Sequence, residues 1–139
     1  MTDSPMEVFL RAVDARDIEA MMSLLAPHVT VTTAFGESAE GIDDVRRVLG
    51  EFLRELRATH HDVSSEWNPE PGVWIAEMSA TYELSDFSRR GPYERVIIIR
   101  AGDHGIEQLR IYGAHELPLP QAGRSYSEVE GPHGWLATL

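Results

Sequence analysis

The spacing of apolar residues near the start of the chain is that of two short helices. Ser4 to Glu7 has the form of a capping box with proline at the first helical position, which predicts that a helix begins there. Its buried stripe follows at steps of three and four residues and consists of Met6, Phe9, Leu10 and Val13. Asp17 is placed to cap a second helix, and Pro27 is expected to end it.

A strand and a longer helix are predicted next. Val29 to Phe35 alternates in the manner of a strand, and residues 36–41 are predicted to form a loop. From Ile42 to Leu56, apolar residues recur at steps of three and four, which is typical of one buried helical face. His60 and His61 are then expected near the negative end of that helix's dipole.

The second half of the chain changes to a period of two. Turn-forming clusters at residues 68–72, 85–91 and 101–105 separate four extended runs, which predicts an antiparallel meander. In the run from Val73 to Leu84 the even positions are apolar, so this sheet has one dry face. Val96 to Ile99 is instead aliphatic on both faces, which favours burial by the helices on one side and by a second copy of the chain on the other. We therefore expect a homodimer.

Composition limits the classes of function. The 139 residues are 42% apolar and 25% charged, as expected for one globular domain. There are 23 acidic side chains against 12 Lys plus Arg, and the net charge of −11 repels nucleic acid and anionic membrane surfaces. The absence of cysteine excludes thiolate chemistry, and the chain shows neither a secretory signal nor an apolar run of ~20 residues. These features favour a cytoplasmic protein that binds neither nucleic acid nor membrane.

Several segments together resemble the SnoaL-like, or nuclear transport factor 2-like, superfamily, which includes ketosteroid isomerases and polyketide cyclases. Residues 13–20 and 24–29 are similar to the family's helix-turn-helix that leads into its first strand. Gly41-Ile42 before the long helix and residues 106–112 in the last strand are also similar to the family's pattern. The resemblance covers residues 5–117.

The resemblance implies an α+β fold, a cone-shaped α+β barrel in which a strongly bent antiparallel sheet wraps around one long and two short N-terminal helices. Residues 1–117 would form this domain, and residues 118–139 an irregular C-terminal extension. Such a cone encloses a pocket for a small hydrophobic molecule. Arg95 and His115 are expected at its rim. The side chains that the family's pattern turns into the pocket are Phe9, Val31, Thr33, Phe35, Phe52, Trp74, Met78, Ile97, Ile99, Leu109 and Ile111.

The acids of a ketosteroid isomerase are absent where the resemblance would place them. That reaction needs a carboxylate base and two acidic hydrogen-bond donors for an enolate oxygen. By the resemblance, the donor tyrosine falls on Phe9, the basic aspartate on Thr33 and the protonated aspartate within residues 96–99. Gly113 and Ala114 also stand where many relatives carry an aspartate. No carboxylate is thus predicted on the inward face, and because one lost donor costs ~10²–10³ in rate, we do not expect ketosteroid isomerisation.

Three polar residues remain as candidates for catalysis at the pocket. His115 could act as an acid or base because imidazole titrates near neutral pH, or it could be a solvated histidine at a strand end. Arg95 could hold an anionic ligand oxygen, or pair with Glu83 or Glu94 across the hairpin. Tyr82 could donate a hydrogen bond to a ligand carbonyl, or to the backbone or water.

The other acidic and histidine residues are interpreted as structural. Alternation places Glu77 and Glu83 opposite the apolar face of their strand. The neighbours His60, His61 and Asp62 project in different directions, so no metal site is expected. No phosphate-binding or nucleophile motif appears, and we expect no cofactor. The residues interpreted as helix caps and first-turn charges are Asp14, Asp17, Asp43 and Asp44.

The sequence therefore predicts a protein that binds a small hydrophobic molecule in an internal pocket, with a cofactor-free cyclisation, isomerisation or hydration as the reaction it could support. The alternative is a non-catalytic ligand-binding module, or a module whose sheet serves mainly for dimerisation. The fold does not decide between these functions, because one fold hosts many chemistries.

Overall fold

The computed structural model describes residues 3–32 and 38–113, which form an α+β fold. Its helices are α1 (Pro5–Asp14), α2 (Ile18–Ser23) and α3 (Ile42–Glu55). Its strands are β1 (Leu25–Thr32), β2 (Ser38–Glu40), β3 (Leu56–Glu70), β4 (Val73–Leu84), β5 (Arg89–Gly102) and β6 (Gly105–Gly113). The predicted order of two helices, a strand, a helix and four strands is confirmed, and β2 is an addition to it.

Two of the helices begin where the sequence predicts. The Ser4 hydroxyl accepts a hydrogen bond from the Glu7 N–H at 3.1 Å, and α1 starts at the proline that follows Ser4. The Asp17 carboxylate accepts from the Ala20 N–H at 3.0 Å and caps α2. The predicted end of α2 is wrong, because β1 begins at Leu25 and Pro27 lies within that strand. Among the helices that the structure describes, none has the length and apolar character of a membrane span.

The junction of α3 and β3 also differs from the prediction. The helix ends at Glu55, and Leu56 has the extended angles φ −110° and ψ 141°. Leu56 is buried and fits both the helical stripe before it and the inward face of the strand after it, so apolar spacing alone does not locate the boundary. His60 and His61 consequently lie on β3 and not near the end of a helix.

The strands form a curved six-stranded sheet in the order β2-β1-β6-β5-β4-β3. The predicted antiparallel meander is confirmed for β3 to β6, whereas β1 joins β6 in parallel and β2 pairs antiparallel with β1. The segment predicted as a loop contains β2 because its backbone completes the free edge of β1, and three residues are too few to show a strand period. Because β1 and β6 are parallel and the other strand pairs are antiparallel, the sheet is mixed.

The inward face of the sheet packs against the helices, as the alternation predicts. Trp74 is opposite Ile99, and Ile97 is opposite Ile111, so even positions of β4 share a face with odd positions of β5 and β6. The predicted pocket-lining residues that the structure describes all belong to the main apolar core or pack on it: Phe9, Val31, Phe52, Trp74, Met78, Ile97, Ile99, Leu109 and Ile111. Thr33, Phe35, His115 and residues 118–139 lie outside the described residues.

Candidate functional site

A carboxylate at the end of α1 is bonded to the inward face of β3. The Thr59 hydroxyl donates to Oδ1 of Asp14 at 2.7 Å, and the His61 main-chain N–H donates to Oδ2 at 2.9 Å. Nδ1 of His61 also lies 2.7 Å from Oδ1. The His61 side chain is 8% exposed and that of Asp14 is 25% exposed. Asp14 and His61 thus form a largely buried pair that joins the first helix to the sheet.

The surroundings of Asp14 keep it ionised. Burial alone would raise the pKa of its carboxyl, but the hydrogen bonds from His61 and Thr59 and the attraction to the His61 ring outweigh burial and hold that pKa below the ordinary value of 3.8. An ionised carboxylate only accepts hydrogen bonds. Nδ1 of His61 must therefore carry the proton in the contact with Asp14.

This contact decides which nitrogen of His61 is basic. With the proton on Nδ1, the lone pair of the neutral imidazole lies on Nε2. A carboxylate that fixes the tautomer of a histidine and stabilises its protonated form is the arrangement found where histidine acts as a general base. Asp14 and His61 together therefore have the arrangement of a general base, with Nε2 of His61 as the atom that accepts the proton.

A buried tyrosine lies beside this pair. Tyr82 of β4 is opposite Thr59 in the sheet, and its ring meets the His61 ring edge to face with centroids 6.3 Å apart. Phe52 of α3 packs against the same ring at 6.1 Å. Burial raises the pKa of the Tyr82 hydroxyl, and the positive charge and hydrogen bond of Arg95 offset only part of that rise. The phenol consequently remains a protonated hydrogen-bond donor at neutral pH.

Arg95 lies inside the fold and not at an exposed rim, since it is only 4% exposed. Its guanidinium lies 5.0 Å from the centroid of the Tyr93 ring, and Nη1 donates to the main-chain carbonyl of Glu94 at 3.2 Å. Gly113 is opposite Arg95 on β6, and a Cβ on that glycine would overlap the guanidinium. The absence of a side chain at Gly113 gives Arg95 its place.

Glu83, which the sequence offered as a partner for Arg95, is bonded elsewhere. Its carboxylate lies 3.0 Å from Nε of Arg57 and 3.7 Å from Nε of Arg89. Glu77, which alternation also turned away from the apolar face, is exposed. These two carboxylates therefore contribute nothing to the interior, and Asp14 is the carboxylate that the described structure places against the inward face.

A cleft of about 270 Å³ reaches this region of the sheet. It touches Thr59 and Tyr82, two residues of the cluster around His61. The other residues that line it are Ala58, His60, Thr81, Glu83 and Arg89. In the sheet His60 is opposite Thr81, in the row between the inward-facing rows of Thr59 and His61, so the cleft opens on the outward face and only borders the cluster.

Of the predicted site residues, the structure brings Tyr82 and Arg95 together. It adds Asp14 and His61, which the sequence did not indicate as site residues. Tyr82 and Arg95 are in contact with each other, as their common face requires. The interpretation of Asp14 as a helix cap is wrong, because its oxygens bond to Thr59 and His61. Asp17, Asp43 and Asp44 do lie at a cap and in a first turn.

Two sequence signals could have identified the Asp14–His61 pair. Asp14 follows buried Leu10 by four residues, which places it on the same side of α1. On β3, alternation back from Val63, which packs on the core, puts His61 and Thr59 on the inward face. Among the residues that the structure describes, no group of three or more His, Cys, Asp or Glu side chains could hold a metal ion.

The comparisons with known proteins agree with this fold. The family model of the SnoaL-like domain matches residues 6–105 of the chain. No curated protein matches the sequence significantly.

Three solved structures illustrate the structural likeness. A protein with a ketosteroid isomerase-like fold from Catenulispora acidiphila DSM 44928, in complex with trimethylamine, has a TM-score of 0.74 and 14% identity over 88% of this chain and 95% of that one. An epoxide hydrolase of the LEH-like type from M. tuberculosis has a TM-score of 0.73 and 12% identity over 90% and 91% of the two chains. A protein from Sinorhizobium meliloti assigned as a polyketide cyclase has a TM-score of 0.66 and 13% identity over 79% and 94%.

At such low identities the structural likeness shows the fold alone. The match to the family model is independent of it and spans well over half of the sequence. The chain belongs to the SnoaL-like domain family.

Proposed function

We propose that this protein binds a small hydrophobic carbonyl compound against the inward face of its sheet and moves a proton on it without a cofactor. The observation that carries the proposal is the buried Asp14–His61 pair beside Tyr82 and Arg95. A base and two hydrogen-bond donors are the parts that proton transfer next to a carbonyl requires. The expected reaction classes are isomerisation, cyclisation and hydration.

Each residue has a separate part in this mechanism. Nε2 of His61 takes a proton from the carbon next to the carbonyl, and Asp14 stabilises the imidazolium that forms. The electron pair of the broken C–H bond moves to the carbonyl oxygen. Tyr82 and Arg95 donate hydrogen bonds to that oxygen as it becomes negative, which is worth more in a dry site than in water. Return of the proton to a second carbon completes an isomerisation.

Apolar side chains supply the binding surface for the substrate. Phe52 packs on Tyr82 from α3, and Met78 and Ile97 follow on the same face deeper in the core. Such a surface selects hydrophobic molecules by area and leaves orientation to the few polar groups. The structural relatives described as an epoxide hydrolase and a polyketide cyclase share this fold, which hosts many chemistries, so the proposed reaction depends on the residues of this site.

The test is a screen for binding followed by a measurement of proton exchange. Cyclohex-2-enone and 1-tetralone are suitable probes because each has an acidic proton next to a carbonyl and little polar surface. We expect a bound probe to raise the melting temperature and to exchange that proton for deuterium in D₂O, observed by NMR. Binding without exchange would favour the non-catalytic alternative, and failure of every such ketone to bind would refute both functions.

We also propose that a second copy of the chain covers the outward face of the sheet. Trp67 and Tyr112 are 47% and 42% exposed there. Sheet register joins them to half-buried aliphatic side chains, since Trp67 is opposite Ile75, Ile75 is opposite Ile98, and Val96 is opposite Tyr112. This forms a continuous apolar patch.

Charges around the patch favour a second copy of the same chain. Glu77 is opposite Val96 in one row of the sheet, and Arg110 is opposite Ile98 in the next row. Because the two charges lie in adjacent rows, a two-fold axis between them brings each arginine toward the partner's glutamate. An interface with this symmetry is complementary to itself despite the net charge of −11.

Light scattering tests the dimer. We expect the wild-type protein to have twice the chain mass at micromolar concentration and Tyr112→Glu to have the mass of one chain, because a buried carboxylate in the interface would lack a partner. Phe87→Glu is the matched control, since Phe87 is 67% exposed on the turn between β4 and β5. A monomeric wild-type protein, or an unchanged mass for Tyr112→Glu, would contradict this interface.

A further inference from the structure

Arg16 has a backbone conformation that residues with side chains rarely adopt. Its φ is +60°, and it follows α1 in a Schellman arrangement, in which its N–H donates to Val13 O at 2.9 Å and the Asp17 N–H donates to Ala12 O at 3.0 Å. Glycine is the usual residue at this position because it has no Cβ to strain. An arginine held in a strained conformation directs attention to what its side chain does.

The Arg16 side chain bridges two segments that are far apart in sequence. Nη1 donates to the main-chain carbonyl of Leu56 and Nη2 to that of Leu53, each at 2.6 Å. These carbonyls belong to the end of α3 and the first residue of β3, where the helix dipole is negative, and the Leu53 carbonyl also accepts from the Leu56 N–H. A planar guanidinium can satisfy two carbonyls at once, which lysine cannot do in the same geometry. The turn between α1 and α2 is thereby fixed to the start of β3.

The same two segments meet again at the Asp14–His61 pair. Asp14 precedes Arg16 by two residues, and Thr59 and His61 follow Leu56 by three and five. The Arg16 guanidinium and the Asp14 carboxylate therefore hold the same two segments together through neighbouring contacts. Hydrogen bonds weaken steeply as their angle and length depart from the optimum, so a small shift of the end of α1 would loosen the 2.7 Å contact between Oδ1 of Asp14 and Nδ1 of His61.

We infer that Arg16 is a positioning residue, which holds Asp14 against His61 and so fixes the tautomer and orientation of the imidazole. Its use in catalysis rests on the function proposed above. The geometric claim does not, because the state of the pair can be observed by NMR in the protein without any substrate. Failure of the inference and failure of the proposed function are therefore distinguishable.

Arg16→Gly is the most informative variant. It removes the guanidinium and at the same time relieves the backbone strain, so any change in the pair cannot be attributed to a strained turn. In the wild-type protein we expect ¹⁵N spectra to show His61 with its proton predominantly on Nδ1, assigned among the six histidines with His61→Gln. In Arg16→Gly this predominance is expected to be lost, and the ¹³C titration midpoint of the Asp14 carboxyl is expected to move up toward 3.8.

Two further variants make the result decisive. Arg46→Ala removes an arginine contact between α3 and Glu19 of α2, and it should leave both NMR signals of the pair unchanged. Arg16→Lys keeps the charge without the two-pronged geometry and should give an intermediate tautomer ratio, which also serves if Arg16→Gly does not fold. The inference would be overturned by a wild-type tautomer and titration in the Arg16 variants, or by an equal change in Arg46→Ala.

Discussion

Replacing His61 by glutamine is expected to slow proton exchange of a bound ketone by about 10²–10⁴-fold while binding of the ketone is nearly unchanged. The substitution removes Nε2, the atom proposed to take the proton. Glutamine is of similar size and polarity and can still donate to Asp14, so the contact with α1 is kept. The effect should therefore appear in the rate of deuterium incorporation measured by NMR and not in the affinity.

His60→Gln is the matched control for this experiment. His60 is the preceding residue of β3 and is exposed, so its side chain projects to the other face of the sheet. We expect its exchange rate to equal that of the wild-type protein. An equal loss in both variants, or full activity in His61→Gln, would show that His61 is not the base.

The alternation of apolar residues is what made the sheet predictable. In β4 the even positions from Trp74 to Leu84 are apolar, and a strand covered on one side has no other way to bury them. The same logic placed Ile97 and Ile99 correctly on β5. The helical starts at Ser4 and Asp17 were equally clear, because their side chains have a specific bond to make.

The candidate site was less predictable because its parts are joined by tertiary contacts. Asp14 has the composition and position of an ordinary residue at the end of a helix, and only the approach of β3 gives its carboxylate three bonds. His61 was misplaced because Leu56 continues the helical period of α3, and the bulge between Leu56 and Ala58 hides the strand period at the start of β3. Arg95 was expected at a rim, and its burial depends on the space beside Gly113 on a different strand.

Replacing Asp14 by asparagine is expected to disable the pair even though the side chain keeps its size. The amide can present N–H to His61, which favours the tautomer with the proton on Nε2 and removes the basic lone pair from the substrate side. In serine proteases the corresponding exchange lowers kcat by ~10⁴, and we expect a loss of proton exchange of about that order here. Asp17→Asn is the control, because asparagine caps a helix about as well as aspartate and Asp17 does not contact the pair.

The same variant has a predicted dependence on pH. The pKa of Asp14 in the folded protein is held below its ordinary value of 3.8, so the carboxylate contributes stability that is complete above that value and is lost as the pH falls through the lower, folded pKa. At pH 7 we expect Asp14→Asn to lower the free energy of unfolding by about 1–3 kcal/mol, since it weakens bonds to buried donors. The difference from the wild-type protein should shrink below about pH 4 in urea unfolding curves. A difference that stays constant down to pH 2, or grows on acidification, would mean that the Asp14 carboxylate is not stabilised by His61 and Thr59.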